Sequence, residues 1–349
     1  MSYLSFVIVY CLKQLNGERS IYSVYHILKG KKSSQSIQDA HLYRLQPFFL
    51  SLPKLSRNYF DEKIQSLSDS QMIMLNEDSR AQLTPEGEKA LEGMHSTFFF
   101  PEHMNGLLYG DRGFVFWRRL NLLTQVLSNH RHEETSYYPV QRNRSIQGWI
   151  KDFLHKNDDW DRMASSLFQE LHESLTREND PYIIVSRLTG YKDYGLTEMQ
   201  AAEELKLHAE EYRYRFLDLI HSLIQWIDGN EGKYPILSSL SSLNQTRKNI
   251  TLSTAKTYEL FLSGHSIEEI AQLRKLKVNT IEDHFIEIIL SQDQVDVDAF
   301  ITPSELVHAI SVIEELGTRR LKPIKDRLPH LSYFQIRIAI AKRGDRNDT

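Results

Sequence analysis

Residues 266–285 read SIEEIAQLRKLKVNTIEDHF, and the spacing of small and apolar residues within them decides the fold. A helix-turn-helix needs a small residue in its first helix, where the second helix crosses closely. It also needs apolar residues at fixed offsets, so that both helices close on a third. Ala271 is the small residue, and Ile267, Ile270, Leu276, Ile281 and Phe285 supply the apolar contacts. Ser266 or Asn279 can cap the two helices. Tyr258, Leu260, Phe261 and Leu262, just before Gly264, form the supporting helix. Lys275 stands at the turn position often filled by Gly, which predicts a turn of different shape.

Outward from this stretch, helical periodicity dominates the 349 residues and convincing alternating strands are few. The chain is long for one domain. It reads as a mainly α protein in three parts: a winged-helix-like unit over 1–96, a central helical bundle over 97–237, and a helix-turn-helix domain over 250–343. In the first part, helical spacing from Leu4 ends at Asn16-Gly17, a plausible cap. A second helix starts at Ser20, a third runs from Ser36 to about Leu50, and Pro53 opens a fourth. Met72 to Leu75 and Gln82 to Thr84 then read as a hairpin leading into a helix, with Thr84 as cap and Pro85 in first position. Helices followed by such a hairpin resemble a winged helix. In the central part, Thr197, Ala201-Ala202, Leu205, Leu207, Tyr212 and Phe216 repeat the helix-turn-helix scheme less completely, and a plain helical hairpin is the competing reading. The Ser- and Asn-rich run 238–249 reads as the clearest linker.

Thr254 through Arg343 resembles the helix-turn-helix domain attached to the C-termini of many bacterial RecQ helicases. The likeness is carried by Gly264-His265-Ser266, Glu269-Ile270-Ala271, Arg274, Thr280-Ile281-Glu282 and His284, then by Leu321 to Lys325 and Ser332-Tyr333 to Arg337. The whole chain is similar in layout to the YpbB-type proteins of low-GC Gram-positive bacteria, whose gene typically lies beside that of a RecQ-type helicase. The resemblance implies a stand-alone DNA-binding or helicase-accessory subunit.

The residues agree with DNA contact only in part. A helix lying in the major groove gains from Arg, Lys, Asn or Gln at base edges and loses from carboxylates near phosphates. The second helix of the motif carries Glu282, Asp283 and Glu287, read as exposed, and no Arg or Lys between Val278 and Asp298. Asn279, Thr280 and His284 alone suit base contact there. Backbone contacts fall instead to Arg274, Lys275 and Lys277 in the turn, to Arg319, Arg320, Lys322, Lys325 and Arg327, and to Arg337, Lys342 and Arg343 on the last helix. Lys54, Arg57, Asn58 and Lys63 form an alternative set on the first part. Net charge is only −4, yet from Arg319 onward nine basic residues face three acidic ones, so a basic terminal face is expected rather than a basic protein. The last residues, 344–349, read as a solvated tail.

Other function classes find little support. No run of about 18 apolar residues offers a membrane span, and Tyr3 to Leu12 lacks the marks of a secretory signal. The single Cys11 precludes a disulfide framework, and a reducing cytoplasm is expected. His130, His132, Glu133 and Glu134 lack the spacing of a helical zinc motif, and Asp158, Asp159 and Asp161 read as a helix start. No Walker loop, dinucleotide fingerprint or nucleophile elbow occurs. The reading is therefore a non-enzymatic accessory protein without cofactor, metal or small-molecule substrate. It binds DNA without sequence preference and acts with a RecQ-family helicase in repair or recombination. The alternatives are a transcriptional regulator reading an operator through its winged helix, and an adaptor that binds only protein.

Overall fold

The structure, a computed structural model, describes residues 2–230, 232–243, 250–291 and 295–345. Helices dominate, and the sheet among the described residues has two strands. The chain divides into two compact units, Met1–Val7 with Leu91–Asn244 and Ile8–Ala90 with Gln245–Thr349. Most of the first segment, Ile8–Ala90, thus lies in one unit with the last, while residues 1–7 and 91–96 go with the central segment.

The first segment opens with α1 (Tyr3–Leu15), which stops where Asn16 and Gly17 take positive φ. α2 (Ile21–Lys29) ends on Gly30 at φ 70°, a position where a Cβ would meet Leu50 at under 3 Å. α3 (Ser34–Leu42) is shorter than the helix expected from Ser36 to Leu50. Arg44 turns the chain at φ 53°, and Pro47 sits in the 3-10 turn Gln46–Phe48. α4 (Arg57–Asp69) opens at Arg57 rather than Pro53, because the Ser56 hydroxyl accepts the Tyr59 amide at 3.2 Å and caps it there. β1 (Ile73–Leu75) and β2 (Ala81–Leu83) form the expected hairpin, Ile73 opposite Leu83 and Leu75 opposite Ala81, with Ser20 bridging Arg80. α5 (Pro85–His95) starts where the Thr84 hydroxyl accepts the Gly87 amide at 3.0 Å.

The central segment supplies α6 (Gly106–Arg131), α7 (Arg144–His155), α8 (Trp160–Leu175), α9 (Tyr182–Val185), α10 (Glu198–Glu204), α11 (Ala209–Gly229) and α12 (Pro235–Ser241). α12 corrects the reading of 238–249 as linker, of which 244–249 lie outside the described residues. Pro235 suits a first helical turn, and the Glu170 carboxylate accepts the amides of Ile236 and Leu237 at 3.2 and 2.9 Å. At the other end Arg112 donates to the Ser241 carbonyl at 2.8 Å, and Arg119 to those of Leu240 and Ser242 at 3.1 and 2.6 Å. Both helix ends are therefore satisfied, and Leu237 and Leu240 are fully buried. Composition marked the serines; the two leucines set the structure.

The last segment holds α13 (Leu252–Leu262), α14 (Ile267–Arg274), α15 (Val278–Ser291), α16 (Pro303–Leu316), α17 (Leu321–Arg327) and α18 (Tyr333–Asp345). They close on one core of branched aliphatics around Ile281, Phe285, Ile288, Ile313, Ile336 and Ile338. Phe285 joins Phe261 and Phe300 edge-on at 4.8 and 4.9 Å, and Phe300 meets Phe334 at 5.4 Å. α3 packs on α15 and α18. Gly344 and Asp345, expected in the tail, close α18 instead, and residues 346–349 lie outside the described residues. Among the described residues no helix is long and apolar enough to cross a membrane.

Candidate nucleic-acid interface

The turn between α14 and α15 has the ordinary helix-turn-helix geometry. Ser266 caps α14 with its hydroxyl on the Glu269 amide, and the Glu269 carboxylate returns to the Ser266 amide at 2.8 Å. Ala271 is buried at the crossing. Lys275 takes the left-handed conformation, φ 53° and ψ 43°, and the Leu276 amide reaches back to the Ala271 carbonyl at 2.9 Å. The different turn shape expected from Lys275 is thus not found, since lysine adopts the conformation usually given to glycine. Asn279 lies inside α15, whose first residue is Val278, and so does not cap it.

The central helices repeat this turn. Thr197 and Gln200 form the capping box of α10, Ala202 is buried, and Lys206 stands at φ 56°. The Leu207 amide then bonds to the Ala202 carbonyl at 2.9 Å. Cap, alanine, left-handed lysine and leucine fall at the same offsets in both stretches. Around the second turn, however, Glu203 and Glu204 are exposed beside Met199 and Lys206, a poor surface for phosphates.

Several of the expected contact residues of the C-terminal motif are held internally. The guanidinium of Arg274 donates to the Ser253 carbonyl at 2.7 Å, to the Ser253 hydroxyl at 3.0 Å and to the Thr257 hydroxyl. His284 is buried, with Nδ1 2.7 Å from that same hydroxyl. Burial, reinforced by Arg274, lowers its pKa to about 4, so the imidazole is neutral at pH 7. Arg274 and His284 therefore tie α14 and α15 to α13.

The acidic face expected on α15 is withdrawn too. Glu287 is buried and accepts the Thr251 amide at 2.5 Å and the Thr254 hydroxyl at 2.6 Å, which anchors the start of α13. Burial raises its pKa. Asp283 pairs with Arg337 of α18, and Glu282 is half-buried. Hydrogen bonds and ion pairs compensate this burial. The Thr251, Thr254 and Thr257 stripe, spaced by three from the cap of α13, is the sequence signal for these anchors.

What remains outward is a smaller set. Lys275, Lys277 and Asn279 are exposed around the turn, and Thr280 is half-buried. Arg320 and Lys322 are exposed at the start of α17, and none of these four cations has an ion-pair partner among the described residues. Arg319 is half-buried with its guanidinium 5.3 Å from the Tyr43 ring centre. Lys325 donates to the carbonyls of Pro329 and Leu331 at 2.8 and 2.5 Å, and Arg327 pairs with Glu315. Lys342 and Arg343 are half-buried on α18. In the first segment Lys54 and Asn58 are exposed, Arg57 pairs with Asp61 and lies 3.4 Å over the Tyr22 ring, and Lys63 covers Tyr59 at 4.9 Å. No group of three or more metal-ligating side chains occurs among the described residues.

Comparison with known proteins agrees with this architecture. The helix-turn-helix domain family matches residues 253–340, which span α13 to most of α18. No solved structure matches the chain. Protein YpbB of Bacillus subtilis (strain 168) is 33% identical over 353 residues, spanning 100% of this chain and 99% of that protein. With identity of that degree carried from end to end, the chain belongs to the YpbB family.

Proposed function

We propose that this protein is a non-enzymatic DNA-binding accessory subunit that contacts duplex DNA through phosphates rather than bases. One observation carries the reading. The helix-turn-helix keeps Lys275, Lys277, Arg320 and Lys322 outward and without ion-pair partners among the described residues, while Arg274, His284, Asp283 and Glu287 are engaged by other helices. Cations on turns and helix starts suit backbone contact, and the shortage of base-reading groups on α15 argues against an operator. Asn279 and Thr280 lie beside the turn as secondary contacts. Arg319, Lys325, Arg337, Lys342 and Arg343 support the face from half-buried positions. Helices α2 and α4 with the β1–β2 hairpin and the Ser20–Arg80 bridge follow the order of a winged helix, with Lys54, Arg57, Asn58 and Lys63 on or beside α4 as its contact set.

The partner in this reading is a RecQ-type helicase in the cytoplasm, and the process is repair or recombination. That step rests on the resemblance of 254–343 to the helicase-associated domain. Co-purification of the helicase with this protein from nuclease-treated lysate tests it. Retention after nuclease supports direct association, loss after nuclease means that DNA bridges the two, and absence of the helicase without nuclease removes it as a partner.

A further inference from the structure

A cleft of about 200 Å³ lies in the second unit, where α3 meets α15 and α18. Arg19, Arg319 and Arg337 line it against one carboxylate, Asp283. Two of these arginines are held in place: Arg19 bonds to Asp39 at 2.9 Å, and Arg337 pairs with Asp283. The third has no carboxylate on its guanidinium among the described residues. Glu18, whose charge acts on it, is occupied by the Tyr43 hydroxyl at 2.9 Å and by the backbone amide of Arg319 at 3.1 Å. Arg44 and Arg343 add positive charge on that side. The charged residues that line the cleft itself are thus three guanidiniums and one carboxylate, with Glu18, Asp39 and Glu282 beside them.

Gln38 also lines the cleft, is 7% exposed, and its amide nitrogen has no hydrogen-bond partner among the described residues. A buried donor left unmade costs about 1–3 kcal/mol, and such a group is met by a water or by a ligand that accepts from it. We propose that this cleft binds a phosphomonoester, with Arg19, Arg319, Arg337 and Gln38 donating to its oxygens. Guanidinium forks match phosphate oxygens two at a time, and a phosphate dianion offsets the excess charge. Drug-sized ligands occupy about 300–1,000 Å³, so this cleft admits a phosphoryl group with a small organic body, which Leu42, Ile286, Leu321 and Ile340 would cover. The inference shares Arg319 and Arg337 with the proposed DNA face but does not depend on it, since the phosphate could be carried by a small metabolite or by the end of a nucleic-acid strand.

Thermal unfolding of the full chain with inorganic phosphate, against chloride of equal ionic strength, tests the site. Phosphate at 10 mM should raise the melting temperature, with saturation at higher concentration. Arg319→Gln and Gln38→Leu should each weaken phosphate at least fivefold, and Lys89→Gln, an exposed change outside the cleft, should not. Gln38→Leu removes an unmade donor, so without phosphate it should melt at or above the wild-type temperature while losing the phosphate response. A purely structural Gln38 would lower the unliganded melting temperature instead, which overturns the proposal. A phosphate shift equal to that of chloride, or equal in Gln38→Leu and wild type, also overturns it. Competition separates the sources: displacement of phosphate by ribose 5-phosphate indicates a small metabolite. Displacement only by a 5′-phosphorylated oligonucleotide, and not by its unphosphorylated twin, indicates a strand end.

Discussion

The Glu287 carboxylate of α15 accepts a 2.6 Å hydrogen bond from the Thr254 hydroxyl of α13, within a motif whose second helix reads as an outward acidic surface. The same carboxylate takes the Thr251 amide at 2.5 Å. One buried acid thus fixes the supporting helix against the second helix. Its removal should destabilise the fold.

Glu287→Ala leaves the half-buried Thr251 amide and the buried Thr254 hydroxyl without this acceptor. Unmade buried bonds cost about 1–3 kcal/mol each, so a loss of about 2–4 kcal/mol is expected in urea unfolding. Glu287→Gln keeps one acceptor oxygen and should lose less. A loss under about 0.5 kcal/mol in Glu287→Ala would mean that the anchor is idle.

Lys206 and Lys275 occupy the same turn position at φ 56° and 53°. A side chain in this conformation costs about 1–2 kcal/mol, part of which glycine returns as unfolded-state entropy. Lys206→Gly and Lys275→Gly should each gain roughly 0.5–1 kcal/mol in stability. Only Lys275→Gly should weaken duplex binding. Equal weakening by both variants would point to the acidic central turn as a contact surface.

The pH dependence follows from His284. Its pKa falls to about 4 in the fold, against about 6.5 in the unfolded chain. Between these values the unfolded chain holds the proton and the fold does not, so the stability contributed above pH 6.5 is lost as pH falls toward 4. His41, at about 4, and His221, at about 3, act in the same direction. Glu287 opposes them, because burial raises its carboxyl and lets the fold take up a proton first. Comparison of His284→Asn with wild type isolates the imidazole. The variant should lose stability less steeply between pH 6.5 and 4, by up to one proton or about 1.4 kcal/mol per pH unit. Parallel slopes would place His284 in solvent.

The helix-turn-helix was legible because its core depends on local offsets. Ala271, Ile281 and Phe285 stand where close packing of two short helices requires them. The fate of the polar residues was not legible in the same way. Periodicity puts Asp283, His284 and Glu287 outside on polarity alone, whereas each is engaged by a residue from another helix: Arg337, Thr257 and Thr254 respectively. Sequence spacing carries no record of such partners. The linker reading failed for a related reason. Serines dominate 238–242 by composition, yet Glu170, Arg112 and Arg119 cap α12 from far along the chain. On the candidate interface, reading by residue type found the cations but not which would remain outward.

The most direct measurement is fluorescence anisotropy of a random-sequence duplex titrated with the full chain over a series of salt concentrations. Four outward cations that neutralise phosphates predict a slope of log Kobs against log salt of about −3 to −4. Lys275→Gln with Lys277→Gln should make the slope shallower by about 2, with equal loss across unrelated sequences. No binding at low salt, or a slope unchanged in that double variant, would contradict phosphate contact through this turn.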